Sequence, residues 1–414
     1  DVMGSCFGKV IFISAALFSG ATPAATFTVD NIDDLPDFAI DGKCSSVFNP
    51  SPDAHVCTLR AAIMEANATP GPTADTIELQ AGATYLLSIA GRDEDFAKTG
   101  DLDILAPLQI IGNGAVVDAG SLDRAFHVFK LATFMNLTIA NGDPTASMGK
   151  EGGGIRTETT KVQLEEVRLR DNQAGGIALA ACQNVVGSST IWQSEISGNT
   201  GGGLLALGCS ITMKQSAVYG NHFGALYITG ASRNLILENS IVSGNHDNPG
   251  AAIYAYDGAN VSILYSTVVD NSGSGQANVG GGTFAIEKSV FTHNADGNCS
   301  SAGSFKPTLS RDNVFGDFGC STGDPDDNSI FNVKTTFIGP LGYYGGPTPT
   351  HRPLTVSTVL DRIPSGAAHC QAGVDPDQRD TLRPIAFRTP TPACDVGAVE
   401  LESEEIFFDS LEWF

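Results

Sequence analysis

A short phrase, in which β-branched residues are followed by asparagine, recurs along the middle of this chain and constrains its fold more than any other feature. Successive asparagines of the repeat are 31, 27, 22, 24, 26 and 23 residues apart. A period of this size indicates stacked structural units, none of which can bury its apolar face alone. The asparagines that mark the repeat are Asn141, Asn172, Asn199, Asn221, Asn245, Asn271 and Asn294.

The residues around these asparagines alternate between apolar and polar, which is the pattern of β-strands. Glycine-rich corners such as 152–154 and 201–203 follow, and no helical segment separates successive strands. Blades of a β-propeller would need a period of about 40 residues. We therefore predict an all-β fold, a right-handed single-stranded parallel β-helix over residues 76–300. It would have about nine rungs and a length of roughly 40 Å.

The asparagines have a structural task in this prediction. Each would occupy the same turn on successive rungs, about 4.8 Å apart. Asparagine tolerates the left-handed backbone conformation of tight turns. Its side-chain amide would bond to the next rung, so the stacked amides are expected to form a structural ladder.

An open β-helix needs a cap at each end, because its terminal rungs expose unpaired backbone groups. Residues 58–67 have the pattern of a short amphipathic helix, with Thr58 as its N-cap and Asn67 near its end. We expect this helix to close the N-terminal end, within a capping region at 26–75. A mostly irregular C-terminal cap is expected at 301–400, followed by an acidic and aromatic tail at 401–414.

The N-terminal residues 1–25 have the pattern of a secretory signal peptide. Lys9 precedes an apolar run at 10–18, and small residues follow at 21–25, so cleavage is expected near Ala25. A membrane anchor is the alternative interpretation, although the run is short for a bilayer span. We expect a secreted protein or one on the outer-membrane surface of a Gram-negative bacterium, with no transmembrane segment in the mature chain. The net charge of −23 argues against nucleic acid as a partner.

Eight cysteines remain after the predicted signal peptide. An even number in an exported chain favours disulfides, and zinc is the less favoured alternative because no CxxC pair exists. Composition cannot fix the pairing, but the clustering along the chain suggests four local bridges. These would join Cys44 to Cys57, Cys182 to Cys209, Cys299 to Cys320, and Cys370 to Cys394.

Both ends of the chain resemble known bacterial families. The phrase Cys57-Thr58-Leu59-Arg60-Ala61-Ala62, with Glu65-Ala66-Asn67 after it, resembles the motif of the CSLREA domain, except that Ala61 stands where the family has glutamate. Phrases over 337–400, including Asp377-Gln378-Arg379 and 394–400, resemble the choice-of-anchor Q domain. These resemblances imply an exported or surface-displayed protein with a pectate-lyase-like β-helix. They do not imply a defined reaction.

Two acidic clusters are candidate calcium sites, because Ca²⁺ prefers several oxygen ligands. One comprises Asp324, Asp326 and Asp327. The other comprises 93–95 with Asp101 and Asp103. Possible Ca²⁺ is thus the only cofactor suggested, and none is required.

Candidate binding residues lie within the repeat itself. His222 and the pair His246-Asp247 follow ladder asparagines of successive rungs and are expected to meet on one face. Tyr254 and Tyr256 share a face of one strand because side chains alternate with period two. Stacked aromatic rings on such a face would bind sugar rings, but packing of the tyrosines inside the solenoid core is the interpretation that we favour.

The fold alone does not determine the function, because β-helices host both enzymes and binding proteins. We expect a non-enzymatic protein of adhesion, display or glycan binding, whose partner is a polysaccharide or a cell-surface glycan. The alternative is a polysaccharide lyase or glycoside hydrolase, although the catalytic phrases of those enzymes are not found. The two hypotheses differ in whether several carboxylates and a base converge in a groove on one face. The sequence does not indicate an oligomeric state.

Overall fold

The computed structural model describes residues 24–402, except 49, 52–53, 70, 72, 147–148, 183, 247–250, 280–281, 300–305, 386 and 388–390. The predicted signal peptide up to residue 23 and the tail beyond residue 402 lie outside the described residues. Asp247, a predicted binding residue, also lies outside them.

Within this part of the chain, a single helix is followed by a long series of short strands that wind into a parallel solenoid. The N-terminal elements are β1 (Thr26–Thr28), α1 (Leu59–Ala68), β2 (Asp75–Glu78), β3 (Thr84–Leu86), β4 (Leu102–Ile104), β5 (Leu108–Asp118), β6 (Phe126–Val128), β7 (Ala132–Ala140), β8 (Ile155–Glu158) and β9 (Val162–Arg170). The middle turns contain β10 (Ile177–Ala180), β11 (Ser189–Trp192), β12 (Glu195–Ser197), β13 (Leu204–Leu207), β14 (Ile211–Lys214), β15 (Ala217–Tyr219), β16 (Leu226–Thr229), β17 (Asn234–Glu238) and β18 (Ile241–Ser243).

The last turns contain β19 (Ala251–Tyr256), β20 (Asn260–Leu264), β21 (Thr267–Val269), β22 (Ser274–Val279), β23 (Thr283–Glu287), β24 (Val290–Thr292), β25 (Leu309–Arg311) and β26 (Val314–Phe315). Two antiparallel pairs follow, β27 (Ile338–Gly342) with β28 (Thr350–Pro353) and β29 (Ile363–Pro364) with β30 (Ala393–Cys394).

Every pairing in the solenoid is parallel and joins strands of neighbouring turns, as a β-helix requires. One sheet, the short sheet, contains the eight strands β4, β6, β8, β10, β13, β16, β19 and β22. The other, the long sheet, contains eighteen strands and covers the remaining two sides. The predicted fold class is confirmed, with about eight turns where the repeat suggested nine. The sheet also extends beyond the predicted 76–300, from Thr26 to Phe315.

The long sheet bends once in every turn at a residue with positive φ, a position we call the kink. Kink residues include Asn136, Gln193, Gln215, Tyr265 and Lys288. The residue after the kink is a buried serine in five successive turns, namely Ser194, Ser216, Ser240, Ser266 and Ser289. Each hydroxyl accepts the backbone N–H at the same position of the preceding turn, for example Ser216 Oγ from Ser194 N at 3.2 Å. This serine ladder was not predicted.

The predicted asparagine ladder runs from Asn172 to Asn294, at a second bend in each turn of the solenoid. Each amide donates to the side-chain oxygen of the next asparagine, as in Asn221 Nδ2 to Asn245 Oδ1 at 3.0 Å. The left-handed conformation, however, belongs to the residue before each ladder asparagine, such as Gly220 and Asp270. Our assignment of that conformation to the asparagines was therefore wrong.

Asn141 was wrongly included in the ladder. Its φ is +59°, so it occupies the left-handed position, and its amide donates to Asp118 Oδ2 at 2.9 Å. The ladder position in this turn belongs to Gly142, whose N–H donates to Asn172 Oδ1 at 2.9 Å. The repeat is therefore shifted by one residue at its N-terminal end.

Helix α1 closes the N-terminal end of the solenoid. Its N-cap is Thr58, whose hydroxyl accepts the Ala61 N–H at 3.1 Å. Arg60 is fully buried and its guanidinium pairs with Asp34 at 2.6 Å. The same guanidinium donates to the carbonyls of Ala97 and Gly100, so it fastens the helix to the first turns.

The C-terminal region closes the end of the solenoid and also covers one of its edges. Phe315 and Phe331 stack with their ring centroids 5.3 Å apart at the last turn and close the end of the solenoid. The described residues of 337–401, which we call the strap, instead run along the kink edge of the long sheet. They contact Gln215 through Asp377, Asn239 through Arg383, and Lys288 through Gly397.

Four disulfides lie at the ends, on the solenoid and in the strap. They join Cys44 to Cys57, Cys182 to Cys209, Cys299 to Cys320, and Cys370 to Cys394. This is the pairing suggested by the clustering of the cysteines along the chain. Four disulfides indicate that the protein folds in an oxidising environment.

Candidate ligand-binding face

The strap covers one edge of the solenoid, whereas the outer surface of the short sheet carries a continuous column of side chains. Parallel register aligns Asp103, His127 and Arg156 on β4, β6 and β8. Further along the same column lie Leu205, Tyr227 and Tyr254. The face therefore changes from charged at its N-terminal end to apolar and aromatic towards its C-terminal end.

Three tyrosines form the aromatic end of this face. The rings of Tyr227 and Tyr254 stack with centroids 5.0 Å apart and an interplanar angle of 17°. Tyr256 follows two residues after Tyr254 on the same side of β19 and is 43% exposed. Burial and the neighbouring phenols Tyr254 and Tyr256 raise the pKa of Tyr227, so its hydroxyl is uncharged at neutral pH.

A groove of about 390 Å³ lies beside the stacked tyrosines. Its corner residues Gly202 and Gly224 both have φ of +98°, a conformation that favours glycine and keeps the turns beside the groove small. Phe223 borders the groove and is 66% exposed. The groove is lined by Gly201, Gly202, Leu204, Leu205, Phe223, Gly224, Ala225, Leu226, Tyr227, Ala251 and Tyr254, none of which is charged.

The five tyrosines between 219 and 265 do not form one platform. Tyr219 donates to Glu195 Oε2 at 2.9 Å, in a cluster that also receives Tyr343 of the strap. Tyr265 is buried beneath the strap, where its ring lies 4.3 Å from the Arg383 guanidinium carbon. Packing inside the solenoid core was therefore the wrong interpretation: Tyr265 packs between the long sheet and the strap, and Tyr227, Tyr254 and Tyr256 lie at the surface.

His222 and His246 occupy equivalent positions of adjacent turns, as the repeat predicted. They pair as an isolated parallel bridge, with ring centroids 6.5 Å apart, and both are exposed. Phe223 follows His222 directly, so this pair adjoins the corner of the groove.

The charged end of the face contains a cavity of about 190 Å³, which we call the acidic cavity. It is lined by Asp93, Glu94, Asp95, Asp101, Asp123, Arg124 and His127. Arg124 pairs with Asp101 at 2.8 Å and also donates to the carbonyl of Gly149. The guanidinium thus holds the wall of the cavity through one ion pair and its bonds to backbone carbonyls.

Asp103 forms the buried floor beside this cavity. Its Oδ2 accepts the Ala97 N–H at 2.7 Å, whereas its Oδ1 accepts no hydrogen bond. Burial, helped by the negative charge of Asp101, raises the pKa of Asp103 to about 8. Burial and the nearby Arg124 and Arg156 lower the pKa of His127 to about 3. The imidazole is therefore neutral at physiological pH, so the contact of 3.7 Å between His127 Nδ1 and Asp103 Oδ1 is not an ion pair.

The sequence did not assign a partner to His127. Its Nδ1 lies 3.7 Å from both Asp95 Oδ1 and Asp103 Oδ1, and its Nε2 lies 3.8 Å from Glu158 Oε1. Asp95 and Asp103 precede Asn141, the first asparagine of the repeat. The repeat therefore could not align β4 with β6 in advance.

The structure places the other predicted calcium cluster, Asp324, Asp326 and Asp327, in an exposed loop between β26 and β27. The carboxylates of Asp324 and Asp327 bond to the loop itself, for example Asp324 Oδ1 to the Asp326 N–H at 2.9 Å. Among the described residues, the group whose donor atoms converge closely enough for a metal ion is instead Asp95, Asp103 and His127.

Comparison with known proteins agrees with the architecture. The family model of the right-handed beta helix region matches residues 153–315. The match covers the most regular turns, from the glycine corner before β8 to the last strand of the solenoid. No curated protein matches the chain. None of the helices among the described residues is long and apolar enough to span a membrane.

Proposed function

We propose that this chain is an exported β-helix protein that binds a neutral polysaccharide on the aromatic end of the short sheet. The observation that carries the proposal is the surface pair Tyr227 and Tyr254, stacked beside an uncharged groove. Aromatic rings offer broad apolar contact area with a polar hydroxyl at the edge, which suits the apolar faces and hydroxyls of sugar rings. A solenoid repeats such positions turn after turn, which suits an extended polymer.

The charge of the molecule favours a neutral ligand over an acidic one. The chain has 46 acidic and 23 basic residues, and the described residues that line the groove include no lysine or arginine. An acidic polysaccharide would be repelled by such a surface. We further propose that the protein is exported through the predicted signal peptide. Its display at the cell surface is what the CSLREA and choice-of-anchor Q resemblances imply.

The test is retardation of the purified protein in native gels that contain neutral polysaccharides, backed by a glycan array. We expect retardation by at least one neutral polymer, and an affinity loss of about tenfold in the double variant Tyr227→Ala/Tyr254→Ala. Phe318→Ala is the matched control, because Phe318 is 65% exposed but lies at the C-terminal end of the solenoid. Binding by the double variant equal to that of the wild type would place the ligand elsewhere and contradict the proposal.

The acidic cavity favours a second candidate function, a glycoside hydrolase or polysaccharide lyase. Five carboxylates and His127 converge there, which is the arrangement expected of an enzyme. However, Arg124 is held by Asp101 and backbone carbonyls, and the cavity of about 190 Å³ is small for a sugar. Release of reducing or unsaturated ends from a polysaccharide panel, abolished in Asp95→Asn, would support the enzyme over the binding protein.

A further inference from the structure

Three potential metal ligands converge at the charged end of the short sheet. Asp95, Asp103 and His127 each offer one donor atom, and these atoms all lie within 4.8 Å of one another. His127 Nδ1 is 3.7 Å from each of the two carboxylate oxygens. Donor atoms of a tetrahedral zinc site are about 3.4 Å apart, given bonds of about 2.1 Å. A shift of a few tenths of an ångström would bring the imidazole to both contacts.

Asp103 supplies an independent indication of a ligand. The residue has no exposed surface, and its Oδ1 points towards His127 without accepting a hydrogen bond. A buried polar atom without a partner is costly, so such atoms are rare unless a ligand satisfies them. The other carboxylate oxygen is fixed by the Ala97 N–H, which orients Oδ1 towards the other two donors.

The far side of the imidazole faces a carboxylate on the next turn of the short sheet. His127 Nε2 lies 3.8 Å from Glu158 Oε1, which is longer than a hydrogen bond, so Nε2 is buried without a hydrogen-bond partner. A carboxylate on the second nitrogen of a metal-binding histidine accepts its N–H and directs the other lone pair at the metal. Glu158 is itself held by Arg156 at 2.6 Å, so its position is fixed.

We propose that Asp95, Asp103 and His127 bind a divalent transition-metal ion of the zinc type, with Glu158 positioning the histidine. Imidazole with two carboxylates suits Zn²⁺ or Mn²⁺, whereas Ca²⁺ prefers six to eight oxygen ligands. Asp95 comes from the loop between β3 and β4, while Asp103 and His127 come from β4 and β6, which are neighbours in the short sheet. The ion would therefore fasten this loop to the first turns of the short sheet.

The test is binding of ZnCl₂ to purified full-length protein after chelator treatment, measured by calorimetry and by the shift in melting temperature. We expect one ion per chain, a higher melting temperature with Zn²⁺, and weaker binding of CaCl₂ than of ZnCl₂. His127→Gln and Asp103→Asn should each weaken Zn²⁺ binding at least tenfold, and Glu158→Gln should weaken it less. Asp326→Asn, in the exposed acidic loop, is the matched control and should bind Zn²⁺ like the wild type.

Three outcomes would overturn the proposal. They are the absence of stoichiometric Zn²⁺ binding, unchanged binding by His127→Gln, and tighter binding of Ca²⁺ than of Zn²⁺. Because Asp103→Asn is isosteric, and Asp95→Asn changes only a surface loop, at least one variant is expected to remain folded. Glycan binding by Tyr254 is assayed without metal, so failure of either proposal is distinguishable from failure of the other.

Discussion

Single residues in the asparagine ladder and in the serine ladder determine where each turn of the solenoid bends. Each ladder is a column of equivalent positions on successive turns. In both columns a residue with positive φ precedes a buried residue whose side-chain oxygen accepts a backbone N–H of the preceding turn. The second residue is asparagine in one column and serine in the other. The side chain thus replaces the strand-to-strand hydrogen bond that the bend would otherwise remove.

At this scale we predict that Asn221→Ala destabilises the protein by about 2–4 kcal/mol, since it leaves several buried polar groups without partners. The Asn221 amide donates to Ile196 O at 2.9 Å and to Asn245 Oδ1 at 3.0 Å. Its Oδ1 accepts from the backbone and side chain of Asn199. Chemical denaturation of the variant measures the loss.

Asn141→Gly is the control for that substitution. It removes an asparagine of the same repeat phrase from a position with φ of +59°, which glycine adopts without strain. We expect a loss of about 1 kcal/mol or less, because one partly exposed hydrogen bond disappears. Equal losses in Asn141→Gly and Asn221→Ala would contradict the assignment of the ladder.

A buried carboxyl in the strap predicts a dependence of stability on pH. Burial, and the nearby negative charge of Glu400, raise the pKa of Asp395 well above 3.8. The folded protein therefore keeps a proton that the unfolded chain releases as the pH rises above about 4. Stability should fall with rising pH until the folded group also ionises. In Asp395→Asn this decline should be shallower, whatever the absolute stability, as measured by denaturation at several pH values; an unchanged slope would contradict the burial argument.

The sequence predicted the ladder because asparagine repeats visibly, and it predicted Thr58 as the cap of α1 because capping is local. It did not predict the serine ladder, since serine also occurs often outside the ladder in this chain. The one-residue shift at Asn141 was also not predicted. Asparagine and glycine both occur at this bend, but here asparagine occupies the left-handed position and glycine the ladder position, the reverse of turns such as Gly220-Asn221.

At the scale of elements, the strap is the part of the structure that differs most from expectation. A cap over the end of the solenoid was predicted, yet the strap lies along several turns of the long sheet. Its contacts join residues more than a hundred positions apart, as between Gln215 and Asp380. No local pattern indicates which edge of a solenoid such a segment will cover. For the same reason the face left uncovered could not be chosen from sequence, although Tyr254 and Tyr256 of the candidate site were among the predicted binding residues.

Arg383 is the central contact of the strap. It is buried, donates to Glu400 Oε2 at 3.0 Å and to Gly397 O at 2.8 Å, and lies over the ring of Tyr265. We predict that Arg383→Met destabilises the strap by about 3–5 kcal/mol, because Glu400 loses its buried cation. Limited proteolysis should then cut within 337–401 while the solenoid stays intact.

Arg362→Met is the control for the strap experiment, because Arg362 lies in the strap but is exposed. Its proteolysis pattern should match that of the wild type. If Arg383→Met were as resistant to protease as Arg362→Met, the strap would not depend on the buried arginine.

At the scale of the whole molecule, two surfaces of the solenoid, the kink edge and the short sheet, have different roles. The strap shields the kink edge, where the buried polar contacts of the long sheet are satisfied. The short sheet keeps a surface column that is acidic at one end and aromatic at the other. His127 and Tyr227 are four turns apart in this column, which corresponds to about 19 Å at one strand spacing per turn. An extended polymer lying across the turns could therefore contact both ends at once.

The central claim is that the ligand lies on the short sheet, and hydrogen–deuterium exchange with a bound polysaccharide tests it most directly. The account predicts slower exchange in β13, β16 and β19 and in the corners at 201–203 and 222–225 when the glycan is bound. Exchange in the strap should not change. Protection confined to the strap or to the kink edge, with none in β16 and β19, would contradict the claim.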